Sequence, residues 1–418
     1  MISSIIISKE FAFAVLLLSG TIKMLLPLIG ITGIPDLTLL SAIGVTIIMM
    51  NQMRLTITEI SKKRFELIII LTLFYLFMIY SLSYSSSNHA SIIKTINFGT
   101  MALAFYFPLL VKDFNIKKFM ISITGLIFIC SVIFLNFYTS YLNRDEAMIL
   151  TMGEENAIQM TALYLTISWL NGILALYYFF KSNQNPIIRW LLLIIAFVFL
   201  ISAGGRGPLI FTILILGFYF LTQIFQILFT FKFNRLLLPV IFLITVTSST
   251  IFIVSNSDIT KYNPSLKLVD HTVKRLMGLV NEKGGGASAH NRVTNAIFSI
   301  KKIDQSPFWG YGVGSYAYEL KHRDYLDYPH NIFLEVWFEL GYIPLLLFLF
   351  LFYRVYSHIR SIECLWCLAL YFYFLLNILK SSSLIDIRMM LGFYAIFITI
   401  QYIQKEEESI KKSRIKNE

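Results

Sequence analysis

Charge is scarce in this chain. Only 14% of its 418 residues are Asp, Glu, Lys or Arg, while 57% are hydrophobic and 16% aromatic. Such a balance excludes a disordered chain and gives far more long apolar runs than one soluble core can bury. Cysteine is scarcer still, with three residues, so no disulfide framework is expected. Cys364 and Cys367 form a CxxC inside an apolar segment without further ligands, and they read as two small core residues on one helix face. No His/Asp/Glu group has metal-ligand spacing, and neither a metal nor a cofactor is expected. Gly310-Tyr311-Gly312-Val313-Gly314 lacks the spacing and preceding strand of a dinucleotide fingerprint and reads as a turn. Glu282-Lys283-Gly284-Gly285-Gly286 is no phosphate-binding loop.

What the chain has instead is apolar runs of membrane-crossing length. A window of about twenty residues finds about twelve. They fall near 9–28, 34–50, 65–83, 92–111, 120–140, 158–180, 187–203, 208–229, 236–255, 332–353, 363–379 and 387–403. The expected fold class is an all-α integral membrane protein. The first run lacks a strongly basic leader and a small-residue cleavage site, so it reads as an anchor. The net charge of +11 does not point to nucleic acid, because the basic residues gather in alternate connections. Lys and Arg favour the cytoplasmic side. That rule puts Arg54 with Lys62 to Arg64, Lys112 with Lys117 and Lys118, Lys232 with Arg235, and Arg354 with Arg360 inside, along with both termini. Residues 1–255 then hold nine spans, 256–331 an outer loop with short helices near 264–281 and 291–304, 332–403 three more spans, and 404–418 a charged tail.

Four groups stand out as candidate chemistry. The stretch Tyr328-Pro329-His330-Asn331 opens a run that continues apolar through Phe352. Asp327 can cap this helix and Pro329 suits its first turn. His330 sits at a helix start, where the macrodipole disfavours the imidazolium, so a neutral general base is available there. The alternative is an interfacial histidine that only caps. Asn331, Glu335 and Glu339 are four apart and share a face, which sets two carboxylates within an apolar layer. They are candidates for orienting His330, binding a sugar hydroxyl, or pairing with a buried cation. Arg206 lies in Ser202-Ala203-Gly204-Gly205-Arg206-Gly207-Pro208, where glycines and a proline break a helix and bring the backbone close to a ligand. An arginine there can fork onto a phosphate or, in the simpler reading, snorkel to the interface. Arg292 follows His290-Asn291 on an amphipathic helix with Val293, Ala296, Ile297 and Ile300 on its apolar side. Lys23 and Lys94 fall in or near spans, where each can meet a lipid phosphate or snorkel outward.

Three of these pieces, in this order, resemble the O-antigen polymerase and O-antigen ligase superfamily. They are Ser202 to Leu209, Arg292 to Tyr316 with its Pro307-Phe308-Trp309-Gly310-Tyr311-Gly312-Val313-Gly314 turn, and Pro329 to Gly341. The resemblance implies a lipid-sugar-dependent glycosyltransferase-like fold in the bacterial inner membrane, with its active site on the periplasmic face. The implied donor and acceptor are undecaprenyl-pyrophosphate-linked oligosaccharides, used without metal or nucleotide sugar. It implies that Arg206 and Arg292 hold the pyrophosphate and that His330 is the base or positions the acceptor hydroxyl; Asn331, Glu335, Glu339, Gly205 and His290 are the expected substrate contacts. Membrane lipid and a chain-length regulator protein are the further partners it implies. His330-Asn331 with Gly341 satisfies the ligase pattern, but Pro344 stands where that pattern prefers Gly, Thr or Tyr. The Pro-His-Asn-Ile-Phe-Leu-Glu run looks more like the polymerases, which is the preferred reading, with ligase as alternative. A lipid-linked sugar flippase is the rival of another class, although no paired halves are visible. A reporter fused near residue 285 is expected to read as periplasmic, and a cytoplasmic signal would overturn this topology.

Overall fold

The structure is a computed structural model that describes residues 8–33, 35–52, 62–142, 146–181, 185–230 and 287–400. The span expected at 236–255, the helix at 264–281 and the tail lie outside these residues. Among the described residues the fold is helical throughout, without a strand. In chain order the helices are α1 Lys9–Leu25, α2 Leu37–Gln52, α3 Lys62–Ser81, α4 His89–Leu110, α5 Ile116–Leu142, α6 Glu146–Phe180, α7 Pro186–Ala203 and α8 Arg206–Thr230. There follow α9 Ala287–Ile303, α10 Tyr316–Lys321, α11 Ile332–Leu340, α12 Tyr342–Ser361, α13 Leu365–Ser381 and α14 Arg388–Ile400.

Seven of these are long and apolar enough to cross a membrane, on α3 to α8 and α12. A helix of about twenty residues spans the ~30 Å hydrocarbon layer. Helices α2, α13 and α14 are apolar but shorter. Many outward side chains are large and apolar, such as Ile187 on α7 and Phe218 on α8, at 77% and 71% exposure. Water disfavours such surfaces and lipid tails accept them. The helix ends follow local chemistry. Asn185 caps α7 by accepting from Ile187 N at 3.0 Å, with Pro186 at the first position. Cys364 lies outside the helix, as the N-cap residue of α13, rather than sharing a helix face with the buried Cys367.

The described residues fall into two compact units. One takes residues 1–23, 33–126 and 287–418. Its interior is aromatic: Phe74 stacks on Phe348 at 5.2 Å and Phe13 on Phe107 at 5.1 Å. Helix α14 is its most enclosed element, with Leu391 and Phe393 to Phe397 wholly buried. The other unit takes residues 24–32 and 127–286, with α6 packed on α7 and α8. There the buried Asn171 of α6 donates to Ser131 Oγ at 2.7 Å.

The run expected as one span at 332–353 is two helices. It breaks at Gly341, whose backbone is left-handed (φ 86°). A Cβ at that position would lie 2.0 Å from Phe308 O, so only glycine admits the 306–310 turn here. The sequence hid this break because the apolar pattern runs straight through it.

One side chain ties the segment between α10 and α11 to the start of α4. Asp324 accepts from Ser87 Oγ at 2.6 Å and from the backbone N–H groups of Asn88, His89 and Ala90 at 2.9–3.1 Å. It therefore caps α4 from 234 residues away or more. The Ser87 hydroxyl and these amides hold its carboxyl down at about 2. A lowered carboxyl pKa stabilises the fold above the ordinary value of 3.8 and loses that contribution as pH falls toward 2. Because the carboxylate is exposed, solvent screening limits its worth to about 1 kcal/mol, the usual value of an N-cap. Asp324→Ala is expected to speed hydrogen exchange at the amides of Asn88, His89 and Ala90 selectively.

Candidate functional site

Helix α11 has nine residues, too few to be stable by its own hydrogen bonds. Its surroundings hold it. Asn331, not Asp327, is its N-cap: the Asn331 Oδ1 accepts from Phe333 N at 3.0 Å and Leu334 N at 3.1 Å. Asp327 instead pairs with Lys321. The Asn331 Nδ2 donates to Leu379 O at 3.2 Å, fixing the helix start to the end of α13. At the other end, Tyr311 N and Gly312 N donate to the carbonyls of Phe338 and Glu339 at 2.9 and 2.8 Å, satisfying two otherwise orphaned groups. The glycine-rich segment is thus a turn, as its sequence predicts. Gly312 is left-handed (φ 88°) and passes so close to Ser85 that a Cβ would lie 2.3 Å from its Cα.

His330 immediately precedes the cap, in the left-handed region (φ 60°) that few non-glycine residues adopt. Its ring meets Tyr328 edge-on at 4.7 Å, and its Nδ1 lies 3.3 Å from Ser381 Oγ. Backbone strain of this kind persists only where the surroundings enforce it. Burial, and then the nearby Arg292 guanidinium, lower the His330 pKa from 6.5, while Asp327 opposes them. The ring is therefore neutral at physiological pH, with one nitrogen lone pair available. Arg292 itself is half-buried on α9, and its Nε is enclosed with no hydrogen-bond partner among the described residues. An enclosed guanidinium N–H without an acceptor is suited to an anion. The neighbouring His290 is exposed. Val293, Ile297 and Ile300, the apolar side of α9, face outward, while Phe298 packs on Tyr316 and Phe338.

The two carboxylates of α11 are fully enclosed. Lys94 of α4 reaches between them. Its Nζ lies 2.7 Å from both oxygens of Glu339 and ion-pairs with Glu335. Lys94 is 1% exposed and both glutamates 0%. Of the roles open to the glutamates, the cation pairing is the one seen. Lys94 neither snorkels nor reaches the surface, because two buried anions hold it in place. The other lysine noted with it, Lys23, pairs with Asp36 near the surface. Glu335 also accepts from Ser383 Oγ at 2.7 Å and Leu384 N at 3.0 Å. Ser381 and Ser383 were missed as neighbours of this helix. Their only signal was a polar Ser381-Ser382-Ser383 run between two apolar helices.

Arg206 and Gly205 belong to the other unit. Helix α7 ends at Ala203, Gly204 takes the left-handed form (φ 82°), and α8 begins at Arg206. Half-buried Arg206 thus stands at the positive end of a helix. Gly205 is buried, its N–H donates to Ser168 Oγ at 2.8 Å, and a Cβ there would come within 2.5 Å of Ser168. Close packing is the physical reason for that glycine. Among the described residues no three His, Cys, Asp or Glu side chains gather as a metal ion would require.

Residues 191–349 match the family model described as O-antigen ligase. The match supports the O-antigen ligase and polymerase superfamily. It runs from α7 into α12 and includes Arg206, Arg292, His330, Glu335 and Glu339, but neither Lys94 nor Ser381. No curated protein matches the chain.

The His330 ring is expected to titrate below 6.5 in labelled-histidine NMR, with the midpoint rising in Arg292→Gln. A lowered histidine pKa means that the fold favours the neutral ring. That stability is complete above 6.5 and falls as pH drops from 6.5 toward the native midpoint.

Proposed function

We propose that this protein is a membrane glycosyltransferase of surface-polysaccharide assembly, which polymerises undecaprenyl-pyrophosphate-linked repeat units at the periplasmic face of the inner membrane. The observation that carries the reading is His330: a strained, half-buried and neutral imidazole, bonded to Ser381 and electrostatically coupled to an arginine whose Nε is enclosed without a partner. The family match over residues 191–349 supports the same chemistry class.

In this reading the acceptor sugar hydroxyl attacks the anomeric carbon of the donor. The carbon–oxygen bond to the pyrophosphate breaks, and the leaving group takes the bonding electrons. His330 accepts the hydroxyl proton through the nitrogen not facing Ser381, which orients the ring. Charge develops on the leaving pyrophosphate, and Arg292 stabilises it. Arg206 is assigned the same role on the sequence resemblance. Attack opposite the leaving group inverts the anomeric centre. Asn331 places the base by capping α11, and Glu335 and Glu339 hold Lys94 rather than the sugar. The donor is the growing chain, and the acceptor is the terminal sugar of a new unit.

The ligase reading uses the same residues with a different acceptor, the lipid A core. Complementation of a deletion strain separates the two. His330→Ala is expected to lower turnover about 10²- to 10⁴-fold, the usual contribution of a general base. Lipopolysaccharide carrying a single repeat marks a polymerase. Glycan-free core with accumulating lipid-linked polymer marks a ligase. Lipid-linked repeats retained on the cytoplasmic face would sink both enzymes and favour a flippase.

A further inference from the structure

We infer that Lys94 is a positioning residue for the proposed reaction: it sets the rotation of α11 about its axis and, through that, the placement of His330. This inference rests on the reading of His330 as the base. Three observations carry it.

The first is the enclosure of the charges. One ammonium and two carboxylates, all at 1% exposure or less, meet with no solvent around them. Charges so buried need each other, because removing one partner leaves another uncompensated. The contact therefore tolerates little displacement.

The second is the spacing. Glu335 and Glu339 lie four residues apart on α11, so they project along one face. Turning a helix by one residue rotates each side chain by about 100°. No such turn keeps both carboxylates on a single ammonium. A pair with one carboxylate would fix distance only, whereas two fix the rotation.

The third is the path to the base. Glu335 also accepts from Ser383 Oγ and Leu384 N, while two residues earlier Ser381 Oγ meets the His330 ring. Asn331, next to His330, donates to Leu379 O on the same helix end. One stretch, residues 379–384, is thereby shared by the carboxylate that Lys94 neutralises and by the imidazole. The partners of Lys94 are Glu335 and Glu339, not His330 or Arg292. It acts through α11.

A misplacement of about 1 Å in a catalytic group can lower the rate about 10²-fold. The test uses the full chain, purified, and lipid-linked oligosaccharide extracted from cells that lack this protein. Two variants are compared: Lys94→Met, and the paired change Lys94→Gln with Glu339→Gln. The pair removes one charge of each sign and keeps hydrogen-bonding groups, so it carries the test if Lys94→Met does not fold. Both are expected to lower kcat about 10²-fold with KM little changed. In a His330→Ala background neither is expected to lower the residual rate further, since the group being positioned is gone. Equal loss in both backgrounds, with His330→Ala itself impaired, would overturn the positioning role and leave the site reading standing. His330→Ala at the wild-type rate would remove the site reading and this inference with it. A second readout needs no turnover. In the charge-balanced pair the His330 midpoint in labelled-histidine NMR moves toward 6.5 as its packing loosens. An unmoved midpoint overturns the inference.

Discussion

A single ammonium between two carboxylates is the constraint on which the rest of this site depends. Lys94, Glu335 and Glu339 are charged groups wholly enclosed by the fold. Insertion scales put an unpaired acidic residue at the bilayer centre at about 2.5–3.5 kcal/mol. Breaking a buried ion pair by deleting one partner costs about 3–5 kcal/mol. Replacing a whole buried ion group by well-packed apolar side chains is often neutral or stabilising, so stability alone does not account for these three. Geometry does: a nine-residue helix that cannot hold itself is given a fixed rotation.

Both ends of that helix are closed by distant chain. The start is capped by its own Asn331, which also reaches α13. The end is capped by the backbone of the Tyr311–Gly312 turn, which is bonded through Val313 to Ser81 at the end of α3 and to Ser85 in the link that leads into the N-terminal end of α4. Asp324 closes the same end of α4. Four segments far apart in sequence therefore converge around α11, and His330 is held left-handed at their meeting point. The strain is local, and the contacts that maintain it are spread over the whole unit.

Much of this was legible beforehand. The helical membrane class, the break before Arg206, the turn at 310–314 and the amphipathic α9 followed from apolar run length, glycine and proline placement, and period. The prominence of His330, Arg292 and Arg206 came from residue type at helix starts. The mistakes have physical causes too. Apolarity is continuous through Gly341, so a hydropathy window cannot see a break that depends on the close approach of Phe308. Asp327 and Asn331 both suit a cap, and the start of α11 at Ile332 gives the role to Asn331, whose Oδ1 accepts from the Phe333 and Leu334 N–H groups.

The sequence by itself determined that apolar segments must be helices, since isolated backbone in lipid has to satisfy its own hydrogen bonds. It also placed two carboxylates on one face of one helix, because that is fixed by their spacing. What it could not determine is their partner. Lys94 stands about 240 residues earlier in an unremarkable apolar run, and nothing in its neighbours marks it as buried. Long-range electrostatic pairing is invisible to any local pattern. Only the tertiary structure, by bringing Lys94 of α4 to the glutamates of α11, turned three isolated charges into one interaction.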